Sequence, residues 1–177
     1  MMDEKKNRLL ELLEEQLKKD DDIGEMSVFT ARELDLPINI LRAEVTEFGP
    51  ELVSILAEFF FLPVDNEDAL YFSSVLTLSS SIPKEAVPDM AAAVARLNYY
   101  VPMGCYALGE DDRTFIYKCT VPVRTDDDED RQKDDMYRAV DASLMLAESF
   151  LNYLILVLNN EISVDEMLDM IRGSKNG

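Results

Sequence analysis

LVSILAEFFFLP, residues 52–63, and LYFSSVLTL, residues 70–78, decide the fold. In the first segment Val53, Ile55, Ala57, Phe59 and Phe61 fall on one side of a two-residue period. Leu52, Leu56 and Phe60 fall on the other, mixed with Ser54 and Glu58. Such a segment reads as a strand covered on most of both faces. In the second, Leu70, Phe72, Ser74, Leu76 and Leu78 alternate with Tyr71, Ser73, Val75, Thr77 and Ser79, and Asp65, Asn66, Glu67 and Asp68 supply a turn between the two. The pair predicts an antiparallel hairpin.

Upstream of it, Leu41, Ala43 and Val45 alternate with Arg42, Glu44 and Thr46 before a Gly49-Pro50 turn, which predicts a third strand and completes a meander. Downstream, Ala86, Val87, Met90, Ala93, Val94 and Leu97 make one helical stripe between about Pro83 and Tyr100, with Pro88 moving its start a few residues later. Residues 104–108 and 114–123 then read as a second hairpin around Gly109, Glu110, Asp111, Asp112 and Arg113. That hairpin puts Cys105 and Cys119 on neighbouring strands, where they read as small buried hydrophobes of a reducing compartment in preference to a redox pair.

The ends of the chain are helical in pattern. Leu9, Leu10, Leu12, Leu13 and Leu17 give residues 3–19 an apolar stripe, whereas residues 20–37 read as a polar connection with no assigned structure. The longest helical pattern runs over about 130–159, and Ser163 with Glu166 forms a capping box for a short last helix ending at Gly173. The expected fold is α+β, one domain over residues 1–177. An antiparallel sheet of about five strands, in sequence order α-β-β-β-α-β-β-α, is packed by helices, with a short extra carboxyl-terminal helix.

Thirty-six acidic against 17 basic residues give a net charge of −19, which repels phosphate backbones and anionic headgroups, so neither nucleic acid nor a membrane surface is expected as a partner. The amino terminus has no apolar core of signal-peptide length. The longest apolar runs, around Phe59 to Val64 and Tyr153 to Leu158, fall well short of the ~20 residues that span a bilayer. A soluble, cytoplasmic protein is expected.

The chain contains no histidine, which removes Ser-His-Asp and Cys-His nucleophile pairs and histidine metal sites. No phosphate-binding glycine loop, dinucleotide fingerprint or metal-spaced cysteine cluster is present. The run Asp126, Asp127, Asp128, Glu129, Asp130 does not have the spacing of a calcium loop and suits the amino-terminal dipole of the helix that follows. No catalytic residue, cofactor or metal is expected. An enzyme built on carboxylates or a divalent cation is the alternative.

In the long helix, Val140, Leu144, Ala147, Leu151, Leu154 and Leu158 share one stripe, and Leu146, Phe150, Tyr153 and Val157 form a second beside it. Together they cover about 200° of the circumference, twice the roughly 100° that a helix lying on a sheet requires. The second stripe should therefore meet another helix, either the amino-terminal one of the same chain or that of a second copy. The less polar edge of the meander, Leu52, Leu56 and Phe60, is a further possible partner surface, with core packing as its alternative.

The order helix, three strands, helix, two strands, helix, with the acidic charge, resembles the type III secretion chaperone-like superfamily, including the YbjN-like bacterial proteins. The likeness rests on the 7–17 helix, the 52–63 and 70–78 hairpin, the 83–100 helix with its Leu97-Asn98 end and the long helix. The resemblance implies an acidic homodimer that holds segments of other proteins without ATP, or a regulatory role. No site residue carries over from it. The helix after Ser163 and the stretch 20–37 depart from the pattern. The functional expectation is a non-catalytic, homodimeric protein-binding module, chaperone-like or regulatory, with an unidentified protein or peptide segment as its other partner. A structural subunit of a larger assembly is a further alternative.

Overall fold

The computed structural model describes residues 2–64, 68–109 and 113–174. Among these, β1 (Ile23–Phe29), β2 (Ile40–Phe48), β3 (Val53–Phe61), β4 (Ala69–Ser79), β5 (Cys105–Leu108) and β6 (Phe115–Arg124) form one sheet in the order β1-β2-β3-β4-β6-β5. Every neighbouring pair is antiparallel. The helices are α1 (Met2–Leu17), the single turn α2 (Ala31–Leu34), α3 (Val87–Leu97), α4 (Glu129–Leu158) and α5 (Val164–Ser174). The α+β class and the meander are as the residues predict. Of the two expected turns, Asp65, Asn66, Glu67 and Glu110, Asp111, Asp112 lie outside the described residues.

The sheet gains its sixth strand, β1, from the stretch that reads as a polar connection. Met26 and Val28 pair with Ala43 and Leu41, but a bulge between Ile23 and Met26 breaks the alternation that would have announced the strand. A capping box closes the chain into α2. The Thr30 hydroxyl accepts the Glu33 N–H at 3.3 Å, and the Glu33 carboxylate accepts the Thr30 N–H at 2.8 Å. At α3 the proline takes effect as expected, since Pro88 occupies the first turn and residues 84–86 form only a 3-10 turn ahead of it. Asp128 caps α4 by accepting the Arg131 N–H at 2.9 Å.

Three helices lie side by side on one face of the sheet: α1 over β1, β2 and β3, α4 over β4 and β6, and α3 against β5, with α5 packed on α3 and α4. Between the layers sits one continuous core that includes Leu9, Leu13, Leu41, Phe59, Phe72, Leu76, Tyr117, Val140, Ala147 and Leu154. By length and composition α4 is long and apolar enough to cross a membrane, its most apolar 18-residue window averaging a hydropathy of 1.5. The expectation from uninterrupted apolar runs counted only Tyr153 to Leu158 of this helix, because polar residues are interspersed along the rest of its length. In the fold its apolar face lies on the sheet.

At the β5 edge the outward backbone groups of Tyr106 are covered by one side chain. The Tyr106 N–H donates to Asn98 Oδ1 at 2.9 Å, and Asn98 Nδ2 donates to the Tyr106 carbonyl at 2.9 Å. The amide thus ends α3 and blunts an edge that would otherwise offer free ladder groups. Asn98→Ala is expected to lower the unfolding free energy by about 1–2 kcal/mol, read from the urea midpoint. An unchanged midpoint would mean that water satisfies Tyr106 equally well.

Candidate functional site: the open sheet face and an apolar pocket

Because side chains alternate along a strand, the register identifies the two faces. Leu41–Phe59, Ala43–Ala57, Ala57–Leu76 and Leu76–Tyr117 are cross-strand pairs on the core side. The intervening positions point away from the helices. They include Ile40 opposite Phe60, Arg42 opposite Glu58, Leu56 opposite Thr77, and Val75 opposite Lys118. Neither α1, α3, α4 nor α5 packs against that outer face. The strand of residues 53–61 is therefore covered on one face only, which corrects the expectation of cover on both: all the long helices went to the other side of the sheet.

The outer face is a mixed surface. Leu56 is 42% exposed, Phe60, Val75 and Ile116 are half-buried, and Leu52 at the β2–β3 turn is 67% exposed. Leu52 also holds a left-handed φ of 51°, unusual for a bulky side chain. Four of the polar side chains between these residues are partnered within the face. Arg42 Nε donates to Glu58 Oε1 at 2.7 Å, with its guanidinium 5.2 Å from the centre of the Phe29 ring, and the hydroxyls of Ser73 and Thr120 lie 2.9 Å apart.

The seven residues singled out by the sequence are split between two layers. Leu56 and Phe60 share the outer face, with Leu52 at its end. Leu146, Phe150, Tyr153 and Val157 lie on α4, across the sheet. On α4, Tyr137 reaches Asp20 and Glu148 reaches the Gly49 N–H, which orients that flank towards α1 and the β2–β3 turn. At 100° per residue the second stripe occupies the opposite flank, towards α3 and α5. Val157 is buried there, and Leu146, Phe150 and Tyr153 are half-buried against the core. The helix beside that stripe is thus α3 and not α1, the intrachain candidate that sequence reasoning offered beside a second copy.

Between the end of the sheet and α4 lies an apolar pocket of about 210 Å³ that sequence reasoning missed. Phe48, Val53, Leu78, Met90, Ile155 and Leu158 are among its lining residues. Its wall is the β2–β3 turn, latched to α4 by the Gly49 N–H donating to Glu148 Oε1 at 2.8 Å. Gly49 has φ +71°, and a Cβ built on it would lie 2.9 Å from Leu151 Cδ2, so the turn is pressed against the helix. No signal in the sequence separates such lining residues from core, since both appear as apolar positions of the same stripes.

Buried hydroxyls in the core act as latches. Tyr106 donates to the Ala147 carbonyl at 2.5 Å and Tyr117 to the Met103 carbonyl at 2.5 Å. Burial holds both phenols well above their ordinary range, so they remain neutral donors. Burial also raises the Cys119 thiol, while a hydrogen bond with Ser143 works against that rise. The acidic run before α4 is used up in caps and ion pairs: Asp128 caps, Asp126 pairs with Arg124 at 2.7 Å and Asp127 with Arg131 at 3.5 Å. Among the described residues no three acidic or cysteine side chains converge as metal ligands.

Both cysteines are free. Cys105 faces Lys118 in the register, one step from Cys119 and on the opposite side of the sheet. Since the thiolate is the nucleophile, iodoacetamide followed by mass spectrometry should label half-buried Cys105 well before buried Cys119. Equal rates would contradict the core position of Cys119.

Comparison with known proteins returns no matching family model, curated protein or solved structure.

Proposed function

We propose that this chain is a protein-binding module, chaperone-like or regulatory, that works as a homodimer through the outer face of its sheet. The observation that carries the reading is the one-sided packing of the helices, which among the described residues leaves Leu56 exposed and Phe60, Val75 and Ile116 half-buried on a face that no long helix covers. The four long strands β2, β3, β4 and β6, about 4.8 Å apart and about 30 Å long, give a face of roughly 600 Å². That is somewhat below the ~800 Å² each partner contributes to a standard interface.

Charge selects the second copy as occupant. Two copies at net charge −19 repel each other over most of their surface. On the outer face, however, Arg42 and Lys118 balance Glu44 and Glu58. A twofold pairing there brings together surfaces on which these four charges cancel. The Arg42–Glu58 and Ser73–Thr120 partners are already made within each copy, so covering these four side chains strands none of them.

Sedimentation of the full chain at micromolar concentration is expected to give a dimer. Leu56→Glu and Phe60→Asp each place an uncompensated charge in the seam and should weaken the dimer by at least roughly a hundredfold, with the circular dichroism unchanged. A strict monomer, or a dimer indifferent to both substitutions, would overturn the proposal.

A further inference from the structure

The apolar pocket beside α4 lies across the sheet from the seam proposed above and stays accessible when that seam is closed. Its apolar surface is accessible to solvent: Val53 is 43% exposed, and Leu78, Ile155 and Leu158 are half-buried. The Glu148 latch on Gly49 holds the wall in place before anything binds, so filling the space requires little reorganisation.

Size and charge narrow the occupant. A dry apolar cavity of about 150 Å³ holds one benzene ring, and sites for drug-sized molecules start near 300 Å³. A space of about 210 Å³ therefore suits one large apolar side chain. Among the described residues that line it, Glu51 carries the one charge, and no lysine or arginine lines it. The carboxylate of a fatty acid would find no cation among the lining residues. Lysine or arginine flanking an apolar side chain would meet Glu51 at the rim and the field of a chain of net charge −19.

We infer that this pocket is a socket for a single phenylalanine or leucine side chain carried by a basic segment of a partner protein. The inference rests on the protein-binding reading but does not depend on the dimer seam.

The test is a methyl NMR titration of the full chain carrying labelled methionine, with Met90 in the pocket lining as the reporter. The probe is the amidated peptide acetyl-Lys-Lys-Phe-Lys-Lys. A saturable shift of the Met90 signal is expected in the millimolar range, where one buried side chain and a few charges would place it. The same peptide with alanine for phenylalanine, or glutamate for lysine, should leave the signal in place, as should decanoate. Ile155→Trp fills the pocket and should remove the response. Glu51→Lys, on an exposed turn, should weaken it several-fold without touching the core.

No shift up to the solubility limit, an equal response to the alanine peptide, or a saturable shift with decanoate would each overturn the socket. The Leu56→Glu variant separates this result from the seam. A chain that is monomeric without any substitution but binds the peptide refutes the seam alone, and a dimer that ignores the peptide refutes the socket alone.

Discussion

The helices α1, α3 and α4 share one face of one sheet, and the rest of the structure depends on that constraint. The meander β2-β3-β4 turns back on itself through short connections, so only the segments outside it can form a second layer. The helix α1 precedes the meander, α3 bridges β4 to the edge strand β5, and α4 returns after β6. All three bury their stripes against Phe59, Phe72, Leu76, Tyr117 and their neighbours. With the apolar stripes of the helices spent there, nothing in the described chain is left to cover Leu56, Phe60 and Val75. The open face is thus a consequence of chain order and not of any one residue.

The same constraint forms the pocket. Three helices of unequal length on a sheet of unequal strands cannot meet flush at both ends. At the end where α4 stops, Leu158, Ile155 and Leu78 line a gap that only the β2–β3 turn partly closes. The hydrogen bond from Gly49 to Glu148 sets how far that turn reaches, and the left-handed conformation of Gly49 lets it come so close to Leu151. At the opposite sheet edge, Asn98 and the Tyr106 latch draw β5 against α3 and α4, which leaves β1 as the longer edge.

The excess of acid is distributed in keeping with local helix chemistry. Asp3 and Glu4, Glu129 and Asp130, and Asp165 and Glu166 lie in first turns, where they complement the dipole. Glu33 and Glu166 close capping boxes, and the hydrogen bonds from Thr30 and Ser163 hold their carboxyls below the ordinary value. Arg42 and Lys118 lie instead on the outer face, where they offset Glu44 and Glu58 on a chain with more than twice as many acids as bases.

Much of this architecture was legible from spacing alone. The alternation in 41–46, 52–63 and 70–78, the stripe ending at Leu97, the two-stripe long helix and the Ser163–Glu166 cap each became the element they predict, because each is a local pattern whose period matches one backbone geometry. β1 was hidden because an edge strand with a bulge keeps too little alternation, although the Thr30–Glu33 box after it was readable. The sequence by itself determined the α+β class, the order of the main elements and the want of histidine chemistry, all of which are properties of composition and near neighbours. Only the tertiary structure decided that Leu56 and Phe60 lie on the sheet face away from the helices, that the second stripe of α4 turns to α3, and that Leu78 and Leu158 line a pocket. An apolar residue carries the same signal wherever it points, and which layer covers it depends on segments far away along the chain.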